Sequence, residues 1–267
     1  RFYIIFYVFP HIDICLLRLE LRGKGCKFFT EKRATIGKIW LFLNVKLIIF
    51  DIDGTLCHSR YIDDKCYIQA FKKGLGLDIK NTDWNSYKHV TDHFVTKQII
   101  MTETGNNPDK DLIDLIIDNY AEELKIQLNK DDTSFTAIPG VKRMFEYFYD
   151  NSDKYQTGIA TGGFRKTAMY KLDKIGINFP EEHIYSSNNY DTKQEMISEL
   201  MFKYISNKIS FDKVIYVGDR EYDFQVAKEL NIDFIGIDFK GNGKLRSLGI
   251  ENVINNYDPI EKFLALV

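Results

Sequence analysis

Residues 47–59 read LIIFDIDGTLCHS, and the fold turns on how that run ends. Leu47-Ile48-Ile49-Phe50 is a short, fully apolar strand candidate. Asp51 and Asp53, which close it, are poor strand formers and costly to bury unpaired. Gly54 and Thr55 follow at once, so the chain leaves the strand in a tight turn carrying two carboxylates one residue apart. A solvated turn would explain the aspartates alone; the rest of the chain argues for a site.

Downstream of this run, short apolar segments alternate with amphipathic helical stripes, the pattern of an α/β domain with a mostly parallel sheet. Further strand candidates are Thr157–Ala160, Val214–Val217 and Phe234–Ile237. Between them Val141, Met144, Phe145 and Phe148 recur at helical steps. Ala168, Met169, Leu172 and Ile175, stopped by Gly176, do the same, as do Met196, Ile197, Leu200, Met201 and Tyr204. From Ile62 to Phe135 the alternation stops. Helical stripes such as Leu112, Leu115, Ile116, Tyr120 and Leu124 take over, with Asn107-Pro108 read as cap and first turn. The expectation is a Rossmann-like, three-layer parallel-sheet core over 45–60 and 136–267. Residues 61–135 are expected to form a helical cap domain inserted after the first strand.

The chain of 267 residues is 45% hydrophobic and 28% charged, ordinary for a globular protein with a sizeable core. A net charge of −2 speaks against a nucleic-acid partner, and no apolar run reaches the length of a membrane span. Cys15, Cys26, Cys57 and Cys66 show neither metal-ligand spacing nor a disulfide framework, so free thiols in a reducing, cytoplasmic compartment are expected. Residues 1–44 are rich in Phe, Ile and Leu but sustain no period, and Pro10-His11-Ile12-Asp13 offers no signal-peptidase site. The first methionine is Met101. These features suggest that residues 1–44 are translated upstream sequence outside the fold, the native start lying at or near Val45; mass spectrometry of the native N-terminus tests this.

In open α/β sheets ligands sit at the carboxyl ends of the strands. The first end supplies Asp51, Asp53, Gly54 and Thr55; the second supplies Thr161, Gly162 and Gly163; the third supplies Gly218, Asp219 and Asp223. Lys193 stands on the approach to a helix upstream of the third strand. Four carboxylates gathered in one crevice repel each other unless a cation joins them, and a hard divalent ion such as Mg²⁺ suits oxygen donors best.

DIDGTL after an apolar strand, then Thr161, Lys193 and GDREYD in that order, resemble the haloacid dehalogenase superfamily. The similarity is to its phosphoglycolate phosphatase-like branch, with a helical cap after the first strand, and runs from about Val45 to the end, GNGKLRSLGIENVI included. The resemblance implies a Mg²⁺-dependent phosphatase acting on a small phosphorylated metabolite, as a monomer or homodimer. Asp51 would be the nucleophile that forms an aspartyl-phosphate, and Asp53 the acid and then base, its pKa raised by its neighbours. Asp51, the backbone carbonyl of Asp53, Asp219 and Asp223 would hold the metal. Thr161, Gly162 and Lys193 would bind the phosphoryl oxygens, with Gly54 and Thr55 turning the backbone toward them. Within the branch, Lys193 is usually followed by Pro, but Gln194 stands here, and Lys171 and Lys174 compete for the role.

Alternatives are a phosphosugar mutase of the β-phosphoglucomutase kind and a non-hydrolytic regulatory relative. WNSYKHVTDHF (84–94) reads equally as a substrate-reading loop, with Lys88, His89, Thr91 and Asp92 facing the crevice, or as a capped helix with Trp84 and Phe94 in the core. His89 and His93 lack a third ligand for a metal, His58 has no assigned role, and GNGK at 241–244 reads as a turn.

Overall fold

A computed structural model describes residues 2–3, 18–22, 25–29, 45–130, 135–207 and 209–267. The chain divides into two units, Arg1–Leu41 and Phe42–Val267. In the first, strands β1 (Phe2–Tyr3), β2 (Arg18–Arg22) and β3 (Gly25–Phe29) pair antiparallel. Sequence periodicity did not reveal them, because five-residue strands hold too few alternations to stand out. Most of residues 1–44, Cys15 included, lie outside the described residues, as does the expectation about their origin.

The second unit is built on a six-stranded, all-parallel sheet. Its members are β4 (Lys46–Phe50), β7 (Tyr155–Thr161), β8 (Ile184–Ser186), β9 (Lys213–Gly218), β10 (Asp233–Ile237) and β11 (Val253–Ile254), in the order β11-β10-β9-β4-β7-β8. Strand β4 is central, and its residues 47–50 are all 0% exposed. Alternate side chains feed two layers. Ile48 and Phe50 pack with Val141, Met144 and Phe148 of α4 (Val141–Asp150), Ala168 and Leu172 of α5 (Arg165–Lys174), and Phe263 of α9 (Ile260–Leu264). Leu47 and Ile49 pack with Met196 and Leu200 of α6 (Lys193–Ser206), Val226 of α7 (Glu221–Glu229) and Leu245 of α8 (Lys244–Ser247). Each such side chain contributes roughly 1.5–3 kcal/mol on burial. The expected three-layer α/β class is the observed one.

The four strands read from sequence all form. β8 and β11 were missed, being three and two residues long at the sheet's edges. Between β4 and α4 lies a helical insertion: α1 (Arg60–Leu75), α2 (Asp92–Thr104) and α3 (Lys110–Leu128). Its neck is a two-stranded antiparallel ribbon, β5 (Cys57–His58) with β6 (Thr136–Ala137). Helix α3 begins two residues later than Asn107-Pro108 implied: Asp109 is the N-cap, its carboxylate accepting the Leu112 N–H at 2.9 Å. Its buried stripe is Ile113, Ile116, Ile117, Tyr120 and Leu124, while Leu115 is exposed.

The order of connections sets the site. From β4 the chain moves to β7 and β8 on one side, then returns through α6 to β9 on the other. The loops leaving β4 and β9 therefore diverge at a topological switch point, where open sheets present a crevice. Among the described residues no helix is long and apolar enough to cross a membrane. Cys57 and Cys66 are buried free thiols.

Candidate active site

Asp51 is the first residue past β4, 3% exposed, its N–H donating to the Val217 carbonyl of β9 at 2.9 Å. Lys193, at the first position of α6 and 3% exposed, lies 2.9 Å from Asp51 Oδ2 and 2.7 Å from Asp223 Oδ1. A Thr192–Glu195 capping box fixes the start of that helix, and so the lysine. Lys174, by contrast, is exposed. Burial pushes the Lys193 ammonium down, but Asp223 and Asp51 outweigh it and hold it charged, above its ordinary value. Burial raises the Asp51 carboxyl, opposed by Lys193.

Asp51, Asp219 and Asp223 each bring a carboxylate oxygen within 4.8 Å of the others. Asp223 is fully buried and engaged: Oδ1 accepts from Lys193 and from the Tyr216 hydroxyl at 3.1 Å, and Oδ2 from the Arg220 N–H at 3.0 Å. Gly54 has φ +82°, and a Cβ there would meet Asp219 Oδ2 at 2.1 Å, so glycine alone admits that carboxylate. An all-oxygen trio of this kind fits a hard divalent ion such as Mg²⁺.

Asp53 departs from expectation. Burial raises its carboxyl, but Lys171 and hydrogen bonds from Lys171 and Ser59 together outweigh this and hold it well below the usual carboxylate range. Lys171 Nζ lies 2.7 Å from Asp53 Oδ1, and Ser59 Oγ donates to the same oxygen at 2.5 Å. The raised pKa expected of an acid catalyst is thus reversed in this conformation. Lys171, 1% exposed, also lies 2.8 Å from Asp63 of α1, which accepts from the Tyr120 hydroxyl of α3 at 3.0 Å. Burial and the Asp53 charge push Asp63 up to about 7; burial first, with Asp53 and Asp63 adding to it, does the same for Asp92.

Sequence reasoning named Lys171 only as a rival to Lys193. The signal was present: Lys171 sits on the buried stripe of α5 between Ala168 and Leu172, where an unpaired lysine has no place.

Asp51, Asp53, Thr161, Gly162, Gly163, Lys193 and Arg220 line one small cavity of about 80 Å³, closed by Asp63, Asp92, Trp84 and Tyr120 of the insertion. Thr161 Oγ1 accepts the Gly163 N–H at 3.2 Å, leaving its own proton to donate. Thr55 is fully buried and is not among the residues lining this cavity. Of Lys88, His89, Thr91 and Asp92, expected to face the crevice, Asp92 lines this cavity and Lys88 a larger one. Thr91 caps α2 and donates to the Asp191 carbonyl at 2.8 Å, while the rings of His89 and Phe94 pack edge to face. Trp84 donates to Asp64 at 2.8 Å, so the stretch is part reader and part scaffold. His93 lies 3.7 Å from Asp191, and no His pair gathers as a metal group among the described residues.

A sequence profile described as "Haloacid dehalogenase-like hydrolase" matches residues 48–237. The chain belongs to the haloacid dehalogenase-like hydrolases. No curated protein matches it. Solved structures share the fold. A hydrolase from Pseudomonas syringae is 19% identical, with TM-score 0.57, over 78% of this chain and 93% of that one. A predicted phosphatase from Clostridium acetobutylicum is 20% identical, TM-score 0.53, over 84% and 99%. A protein of Bacteroides vulgatus assigned by its name to the β-phosphoglucomutases is 13% identical, TM-score 0.59, over 85% and 92%.

Proposed function

We propose that this haloacid dehalogenase-like hydrolase is a Mg²⁺-dependent phosphatase of a small phosphomonoester, working through an aspartyl-phosphate at Asp51. The observation that carries the reading is the buried Asp51 carboxylate at the end of β4, paired with Lys193 and within 4.8 Å of Asp219 and Asp223 oxygens. Asp51 and Asp219 would hold the ion with the Asp53 carbonyl, and Asp223, its oxygens already committed, would orient Lys193 beside them. When bound, Mg²⁺ supplies charge neutralisation for the phosphoryl group.

The chain's own residues account for the rest. An Asp51 oxygen attacks phosphorus in line, the bond from phosphorus to the leaving oxygen breaks, and that oxygen takes a proton from Asp53. Water then attacks phosphorus and gives its proton to the Asp53 carboxylate, and the bond from Asp51 to phosphorus breaks. Thr161, the Gly162 N–H and Lys193 face the equatorial oxygens, where charge accumulates. Lys171 and Ser59 hold Asp53 in the form the second half needs; the first half needs that grip loosened. Residues 61–135 act as a cap that excludes water, docked through the Asp92 N–H to the Gly162 carbonyl at 2.8 Å. The cavities between the two segments suit one small phosphorylated metabolite.

The test is phosphate release with and without Mg²⁺ from sugar phosphates, phosphoglycolate, nucleotides and p-nitrophenyl phosphate, beside Asp51→Asn. Metal-dependent turnover falling by about 10³-fold or more in the variant supports the reading. No release from any ester overturns it. Interconversion of sugar phosphates with a bisphosphate bound would favour the mutase.

A further inference from the structure

Val90 and Arg220 each line two cavities: the small one over Asp51 and a larger one of about 470 Å³ that opens beside Gly54 and Asp219. The second therefore adjoins the nucleophile's surroundings across these two side chains, and its volume is of the order that receives whole small ligands, about 300–1,000 Å³. Three separate parts of the chain bring cations to its walls. Lys88 comes from the insertion, Arg220 from the start of α7, and Lys240 and Lys244 from the turn that follows β10.

The balance of charge is positive once the acids are assigned. Asp219 belongs to the carboxylate trio at the proposed metal. Asp238 accepts the Asn242 and Gly243 N–H groups at 3.1 and 2.7 Å, and so serves the turn that carries the two lysines. Arg220 stands beside Asp219, so Glu221 alone is left to oppose Lys88, Lys240 and Lys244. Lys88, Lys240 and Lys244 form no ion pair with a described residue. Arg220 Nε, 3.7 Å from Asp219, hydrogen-bonds to no described residue although it is buried. The GNGK turn, silent as a sequence motif, thus faces the site. Tyr87 and Phe239 add apolar wall between the cations.

We propose that this chamber binds a second anionic group, carried on the alcohol half of the phosphomonoester. The substrate class is then a sugar-sized phosphomonoester whose leaving group bears its own phosphate or carboxylate. The inference rests on the phosphatase reading above and adds to it what the leaving group must carry. The reacting phosphoryl group sits over Asp51, the carbon chain passes Arg220 and lies along Tyr87 and Phe239, and the far anion meets Lys88, Lys240 and Lys244.

The experiment compares kcat/KM of the full chain on fructose 1,6-bisphosphate, 6-phosphogluconate, glucose 6-phosphate and p-nitrophenyl phosphate. One or both of the first two should exceed glucose 6-phosphate by about tenfold or more, the worth of one charge-assisted contact. Which of the two leads tells phosphate from carboxylate. In the Lys240→Ala/Lys244→Ala double variant, both substitutions being on exposed residues, that ratio should fall by about tenfold, mainly through KM. Lys88→Ala reads the same ratio from the opposite wall. A wild-type ratio near one, or a ratio unmoved in both variants while Asp51-dependent release persists, overturns the proposal and leaves the phosphatase reading standing. Absence of Asp51-dependent release from all four substrates overturns the proposal, and its absence from phosphoglycolate and nucleotides as well overturns both readings.

Discussion

Lys171 shows how one side chain can set the chemistry of another. It is nearly inaccessible, yet it is compensated by Asp53 on one side and Asp63 on the other. Burial alone would lower its pKa, but the Asp53 and Asp63 charges raise it above the ordinary value. Lys171→Met would leave these carboxylates sharing an apolar pocket without a counter-charge. Breaking a buried pair of this kind costs about 3–5 kcal/mol, read as a lower urea midpoint. Adding Asp63→Asn should recover part of the loss, because one of the stranded charges is then gone; no recovery would show that Lys171 acts through packing alone. Asp92 gives a pH signature of opposite origin. Its carboxyl is pushed up to about 7, first by burial, whereas the unfolded chain titrates it near 4 (about 3.9). Between those values the folded protein holds a proton that the unfolded chain has released, so the Asp92 contribution to stability falls as pH rises from about 4 to about 7. Asp92→Asn should therefore gain Tm relative to wild type between pH 5 and pH 8, by about 2–4 °C for each kcal/mol relieved. A difference in Tm that stays flat with pH would place the Asp92 carboxyl in water.

At the scale of the element, the turn after β4 holds the closest approach to any described glycine. Gly54 holds φ +82° with Asp219 where a Cβ would have to be. Gly54→Ala should displace Asp219 from the carboxylate trio, and a misplacement of about 1 Å costs on the order of 100-fold in rate. A Mg²⁺ titration of activity checks this: the variant should need more metal as well as turning over more slowly, and an unchanged metal requirement would sink the argument. This element was readable in advance because its conflict was local, an apolar run ended by two acids and a glycine. The four interior strands were readable for the same reason, being buried on both faces and therefore continuously apolar. Edge strands β8 and β11 were not, since three and two residues leave no pattern. The ribbon of Cys57–His58 with Thr136–Ala137 joins residues far apart in sequence, so nothing local announces it. The Asp53 environment was hidden for the same reason: Lys171 is 118 positions away, and only the fold brings its ammonium to that carboxylate.

For the whole molecule, the insertion and the sheet meet over a cluster of charged side chains. Asp191, just ahead of α6, accepts Thr91 through its carbonyl and Lys97 through its carboxylate at 3.0 Å, and Lys166 of α5 pairs with Asp118 of α3. The surface ion pairs of this docking are each worth about 0–1 kcal/mol, so they guide the insertion without locking it. The acids beneath it are a different matter. Asp51, Asp219 and Asp223 stand together against Lys193 and Arg220, and the folded state keeps that repulsion where the unfolded chain disperses it. A ligand that binds only the folded state stabilises it by mass action, about 2.7 kcal/mol at one hundred times its Kd. For a chain of this size that becomes a rise in Tm of about 5–10 °C when saturating Mg²⁺ replaces a chelator. Asp219→Asn should abolish most of the rise while lifting Tm in the chelator, because one repelling charge is gone. Asp191→Asn, outside the trio, should keep the full response. A wild-type Tm that is the same in Mg²⁺ and in chelator would show that Lys193 and Arg220 already satisfy the three carboxylates, and that the trio is a structural ion network in place of a metal centre.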